Sequence, residues 1–121
     1  MKKYLSRTLM VSPVYLCFCT TEKSFRRELK KLKVKEPVSF LGPDADATTH
    51  FLSRKNEVIC IICLGDTKGR TVGQVHALLV HEVVHVWQKI KELTGESNPS
   101  SEFEAYSIQH LCETLFKAYD N

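Results

Sequence analysis

Long hydrophobic runs are missing from these 121 residues, and no stretch approaches the roughly 20 apolar residues that a membrane-spanning helix needs. Glycine and proline are sparse, with five and four residues, which excludes collagen-like repeats. No internal repeat and no linker is visible, and one ordinary domain over residues 1–121 is expected. A small-residue cleavage site is also lacking. Lys2, Lys3 and the apolar stretch from Leu9 to Phe18 faintly resemble a secretory leader, but Arg7 comes late, Pro13 interrupts, and Cys17-Phe18-Cys19 follows. The expectation is a cytoplasmic protein without a membrane partner. Cysteine is present in an odd number, five, so at least one thiol is free, and reduced intracellular thiols are the simpler reading.

What is present is an average globular composition, 43% hydrophobic and 26% charged, with an uneven distribution of charge. Residues 1–81 hold fourteen Lys/Arg against seven Asp/Glu, and residues 82–121 hold three against seven. The one dense basic run is Lys23 to Lys35. Its residues fall on the outer face of an expected helix, so it reads as a solvated surface and argues against a nucleic-acid partner.

Periodicity orders the elements as an α+β chain. Val14 to Cys19 reads as a strand started by Pro13, and Thr20 or Thr21 caps a helix over about Glu22 to Leu32 with Phe25, Leu29 and Leu32 inward. Ala47 to Leu52 and Glu57 to Leu64 suggest an antiparallel hairpin joined by Ser53 to Asn56. Cys60 and Cys63 have a knuckle-like spacing, yet on a strand they point to opposite faces and read as buried small hydrophobes. Thr71 to about Leu93 is a long helix stopped by Gly95, with Val72, Leu79, Val80, Val83, Val84 and Trp87 expected on its buried side. A last helix runs from about Pro99, at the first helical position, to Tyr119, with Ile108, Leu111, Leu115 and Tyr119 inward.

Inside the long helix lies His81-Glu82-Val83-Val84-His85, an H-E-x-x-H motif. Histidines four apart sit one turn apart on one helix face, so both imidazoles can reach one zinc ion, and Glu82 can be aimed at a zinc-bound water. Chance produces the motif in roughly one or two of every hundred shuffled chains of this composition, but here it falls in mid-helix directly after a hairpin. A catalytic zinc needs a third protein ligand. His110, Glu92, Glu96, Glu102, Glu104 and Glu113 follow the motif, and Glu104 lies on the stripe of Ile108 and Leu111 that faces the zinc helix. Two other readings stay open: Ser101-Glu102-Phe103-Glu104 fits a capping box, and Glu102 is a reserve ligand or an acceptor for an imidazole.

Over about residues 45–119 the chain resembles the gluzincins, zinc metallopeptidases with an H-E-x-x-H helix and a glutamate from a following helix, and in particular small single-domain peptidases of phages and mobile elements. The resemblance implies a small zincin-like fold: an N-terminal strand and helix, an antiparallel or mixed sheet with an edge hairpin, and the motif helix packed on the C-terminal helix. It implies zinc as cofactor, His81, His85 and Glu104 as ligands, and Glu82 as general base and acid. Glu57 to Leu64 would offer its edge to an extended protein or peptide substrate. The second lobe of larger gluzincins is missing, which implies a site that is shallow, selective for one protein, or completed by a partner protein that covers the cleft. Tyr106, His110, Tyr119 and His50 are candidates for stabilising the oxyanion, and His76, about 140° from His81, is set aside as a ligand. Besides the peptidase, a zinc-bound structural or regulatory binding domain and a DNA-associated protease docked through Lys23 to Lys35 are the competing functions.

Overall fold

The structure, a computed structural model, describes residues 12–121. The start of the leader-like stretch, with Lys2, Lys3, Arg7 and Leu9, lies outside the described residues. Six elements follow one another: β1 (Val14–Cys19), α1 (Glu22–Lys31), β2 (Ala47–Arg54), β3 (Glu57–Leu64), α2 (Val72–Thr94) and α3 (Ser101–Asp120). Three helices and a three-stranded mixed sheet make this an α+β arrangement.

The strand order is β1-β3-β2, with β1 parallel to β3 and β2 antiparallel to it. β3 is therefore central and paired on both sides, and its near-continuous apolar run follows from burial of both faces. Cys60, Ile62 and Leu64 enter one core, with α2 and α3, while Ile59, Ile61 and Cys63 enter another, with α1 and the segment after it. The expectation that β3 offers a free edge is thus corrected. Among the described residues the strand of the hairpin with an unpaired edge is β2, which runs two residues further than expected and turns back through Lys55-Asn56.

α1 begins at Thr21, whose hydroxyl accepts the Ser24 amide at 3.1 Å, and it buries Phe25 and Leu29 beneath the sheet. α2 is fixed at both ends by its own sequence. The Thr71 hydroxyl accepts the Gln74 amide at 3.1 Å while the Gln74 side chain accepts the Thr71 amide at 2.8 Å. Gly95, at φ 72°, ends the helix in a left-handed turn that Glu96 closes onto the Lys91 carbonyl.

The buried face of α2 is rotated from the expected one. Leu79, Val83 and Trp87 are buried as expected, but Val72 and Val80 are exposed, and Val75, Glu82, Val86 and Ile90 are inside instead. A helix covering a sheet on one flank and a second helix on the other buries a broad arc, and simple apolar content does not locate its centre. α3 starts later than expected: Ser100, not Ser101, is the cap, accepting the Phe103 amide at 3.2 Å, and Pro99 precedes the helix. Among the described residues no helix is long and apolar enough to cross a membrane.

Candidate metal and peptide site

The H-E-x-x-H motif sits in the middle of α2, where the helix borders the sheet. His81 and His85 are exposed, with their rings edge-on at 77° and their Nε2 atoms 3.2 Å apart. The two nitrogens are at hydrogen-bond distance from each other, a separation close to the roughly 3.3–3.4 Å between two nitrogens bound to one tetrahedral zinc at about 2.0–2.1 Å. The Nδ1 of His85 lies 3.3 Å from Gln88 Oε1. An amide oxygen can only accept, so Nδ1 carries the hydrogen in this contact, and the Nε2 lone pair of His85 accepts from His81 Nε2, a place that an ion shared by the two rings would take over.

Glu82, one residue on, lies about 100° around the helix from His81, which turns it towards β2. It is only 5% exposed and is the one buried charged side chain among the described residues. A buried carboxylate is costly without a partner. The hydroxyl of Thr49, on β2, supplies one, donating to Glu82 Oε1 at 2.7 Å. Two residues further along β2, the Phe51 ring lies beneath Lys89, whose Nζ is 5.5 Å from its centroid. The face of β2 that carries Thr49 and Phe51 therefore packs beside the carboxylate and Lys89.

Glu104 does project from α3 towards α2, as its place on the apolar stripe predicts. Its carboxylate meets other groups there: Trp87 Nε1 donates to Oε2 at 2.7 Å and Lys91 Nζ lies 3.6 Å from the same oxygen. The indole hydrogen bond, aided by Lys91, holds its carboxyl below the ordinary range. Around α2, Trp87 and Lys91 mark a flank about 120° from the imidazole pair, on the side away from Glu82. Among the described residues no group of three His, Cys, Asp or Glu side chains is gathered around one point that could hold an ion. His81 and His85 thus stand close enough to share one ion, and the structure does not bring the third expected ligand, Glu104, to them. The capping alternative does not occur either, because with Ser100 as cap Glu104 lies one residue beyond the capping-box position.

The remaining candidates are dispersed. Glu102, Glu92, Glu96, Glu113, His110 and Tyr106 are exposed. His50 belongs to the opposite face of the sheet, stacked on Phe25 at 4.9 Å and donating to the Phe40 carbonyl. Tyr119 packs beside His76, which stacks on Phe116 at 4.0 Å and approaches Asp120. Cys60 and Cys63 separate onto the two faces of β3 as expected, and burial pushes their thiols up to about 11 and about 12. Thr49, Gln88, Trp87 and Lys91 are the site neighbours that sequence reasoning missed. Gln88 follows His85 by three, a spacing legible on any helix. Thr49, 33 residues before Glu82, leaves no local signal.

No protein-family model, curated protein or solved structure matches the chain.

Proposed function

We propose that this chain is a zinc-dependent peptidase of the gluzincin type with a small zincin-like fold. The observation that carries the reading is the His81–His85 pair, with Nε2 atoms 3.2 Å apart, next in sequence to a buried Glu82 held by Thr49 of β2, the outer strand of the sheet among the described residues. His81 and His85 would hold the ion through Nε2, with Gln88 orienting the second ring. When bound, zinc would supply Lewis acidity and a water acidified towards neutrality. Glu82 is the general base that takes the proton of the attacking water and then donates it to the leaving amine, and Thr49 keeps its carboxylate in a single orientation. The free edge of β2 would hold an extended peptide by backbone hydrogen bonds.

Glu104 is the proposed third ligand, and taking that role requires it to leave Trp87 and Lys91. That requirement supports a second reading, a zinc-bound binding domain in which Glu104 only fastens α3 to α2. Zinc stoichiometry and cleavage of a broad peptide library, measured for the native chain and for Glu82→Gln, separate the two. A peptidase retains one zinc in both forms and loses about 10²–10⁴-fold in cleavage on substitution. Metal without cleavage in the native chain supports the binding domain. Unchanged zinc content in Glu104→Ala would pass the ligand role to Glu102 or His110.

A further inference from the structure

The outer face of α1 is not used by the site, which lies on the other side of the sheet. Residues 22–36 hold seven lysines and arginines against three glutamates, whereas the rest of the chain holds ten against eleven. The excess positive charge of the molecule is thus concentrated in one segment.

Two of these cations are engaged at the surface. Arg26 pairs with Glu22 at 2.9 Å and donates to the Val38 carbonyl at 2.6 Å, and Lys31 lies 3.8 Å from Glu28. Lys23, Arg27 and Lys30 are exposed and have no ion pair or hydrogen-bonded side chain among the described residues. At 100° per residue they form one stripe, about 140–200° from the buried Phe25. Residues 1–11 contain no aspartate or glutamate, so they bring no carboxylate to neutralise it.

The sequence pattern alone favours a merely solvated face with no nucleic-acid partner, but fold stability accounts for only part of this stripe. Lys30, in the last turn, complements the negative end of the helix dipole. Lys23 is in the first turn, where a positive charge opposes the dipole. Among the described residues α1 itself exposes no large apolar side chain, which disfavours insertion into a lipid surface, and the exposed aromatic beside the helix, Tyr15, shares a groove with Glu28 and Leu32 on a flank away from the lysine stripe, so it does not offer a stacking platform there. What remains is a row of point charges spaced by one helical turn, complementary to a phosphodiester backbone.

We propose that the outer face of α1, through Lys23, Arg27 and Lys30 with Lys33 and Lys35 at its C-terminal end, docks the chain onto the backbone of double-stranded nucleic acid without reading its sequence. The contact leaves α2 and the β2 edge free and does not depend on the metal reading.

Anisotropy of a labelled DNA duplex of about 20 base pairs, at about 50 mM salt and upwards, tests this. With three to five phosphate contacts, log affinity should fall against log salt with a slope of about −3 to −4.5. Lys23→Glu, Arg27→Glu and Lys30→Glu together should weaken binding by at least about 100-fold. Lys55→Glu, Lys68→Glu and Lys117→Glu together change net charge equally and should retain most of it. A glutamine version of the first set, with helicity checked by circular dichroism, guards against misfolding and should give an intermediate loss. No binding at about 50 mM salt, an equal loss in the control set, or tighter capture by phosphatidylserine vesicles than by duplex would each overturn the proposal.

Discussion

Thr49 and Glu82 show how a single contact settles the character of a side chain. The glutamate is almost wholly removed from water, and its one hydrogen-bonded partner among the described residues is a hydroxyl from another element. Removing that donor leaves a buried acceptor unsatisfied, so Thr49→Val should destabilise the chain by about 1–3 kcal/mol in urea unfolding, while Thr49→Ser, which keeps the hydroxyl, should lose much less. Equal effects of the two substitutions would assign the cost to packing of the threonine methyl and not to the hydrogen bond. His81 and His85 were legible at this scale because their relation is local: four residues on any helix give neighbouring rings. Their exposure and the carboxylate's burial were not, since both depend on which arc of α2 the sheet covers.

At the scale of elements, the clamp between α2 and α3 is the main addition to the sequence reading. Glu104 projects from the α2-facing side of α3, as its spacing from Ile108 and Leu111 predicts, and both of these pack against the core. Spacing along α3 does not say which flank of α2 it will meet, and that flank carries Trp87 and Lys91. The carboxyl is held below its ordinary value of 4.5, so its contribution to stability is complete above that pH and is lost as pH falls through the lower folded-state value. Glu104→Gln should accordingly melt at a lower temperature than the native chain near neutrality. The gap should close in acid, as melting curves from neutral pH down to about pH 3 can record. A gap that is constant with pH would mean that the carboxylate charge plays no part in fastening the helices.

The whole molecule is a sheet with a core on each face, and β3 serves both. Cys60 and Cys63 mark the two sides of that division. Burial raises the Cys60 thiol from 9.0 to about 11, with Lys89 opposing the rise. A raised folded-state value means that the neutral thiol's stabilisation is complete below about pH 9 and is lost as pH rises towards 11. Urea midpoints should therefore fall over this range. The advantage of the native chain over Cys60→Ala should shrink across the same interval, whereas parallel profiles would show that this thiol does not titrate on unfolding. Charge is also divided at this scale, with the basic surface on α1 and the H-E-x-x-H helix on the other face of the sheet, so the proposed docking surface and the proposed metal site lie apart.

Sequence by itself determined what local spacing determines: the elements and most of their ends, the two-faced burial of β3, the imidazole pair, and the inward side of α3. These depend on backbone periodicity and on capping groups within a few residues of each other. Tertiary structure alone decided that β3 is central and β2 the outer strand of the hairpin, that Thr49 meets Glu82, and that Glu104 meets Trp87 and Lys91 and not the histidines. Each of these is a pairing between segments distant in the chain, selected by how three layers bury their apolar faces together, and no window of sequence contains both partners.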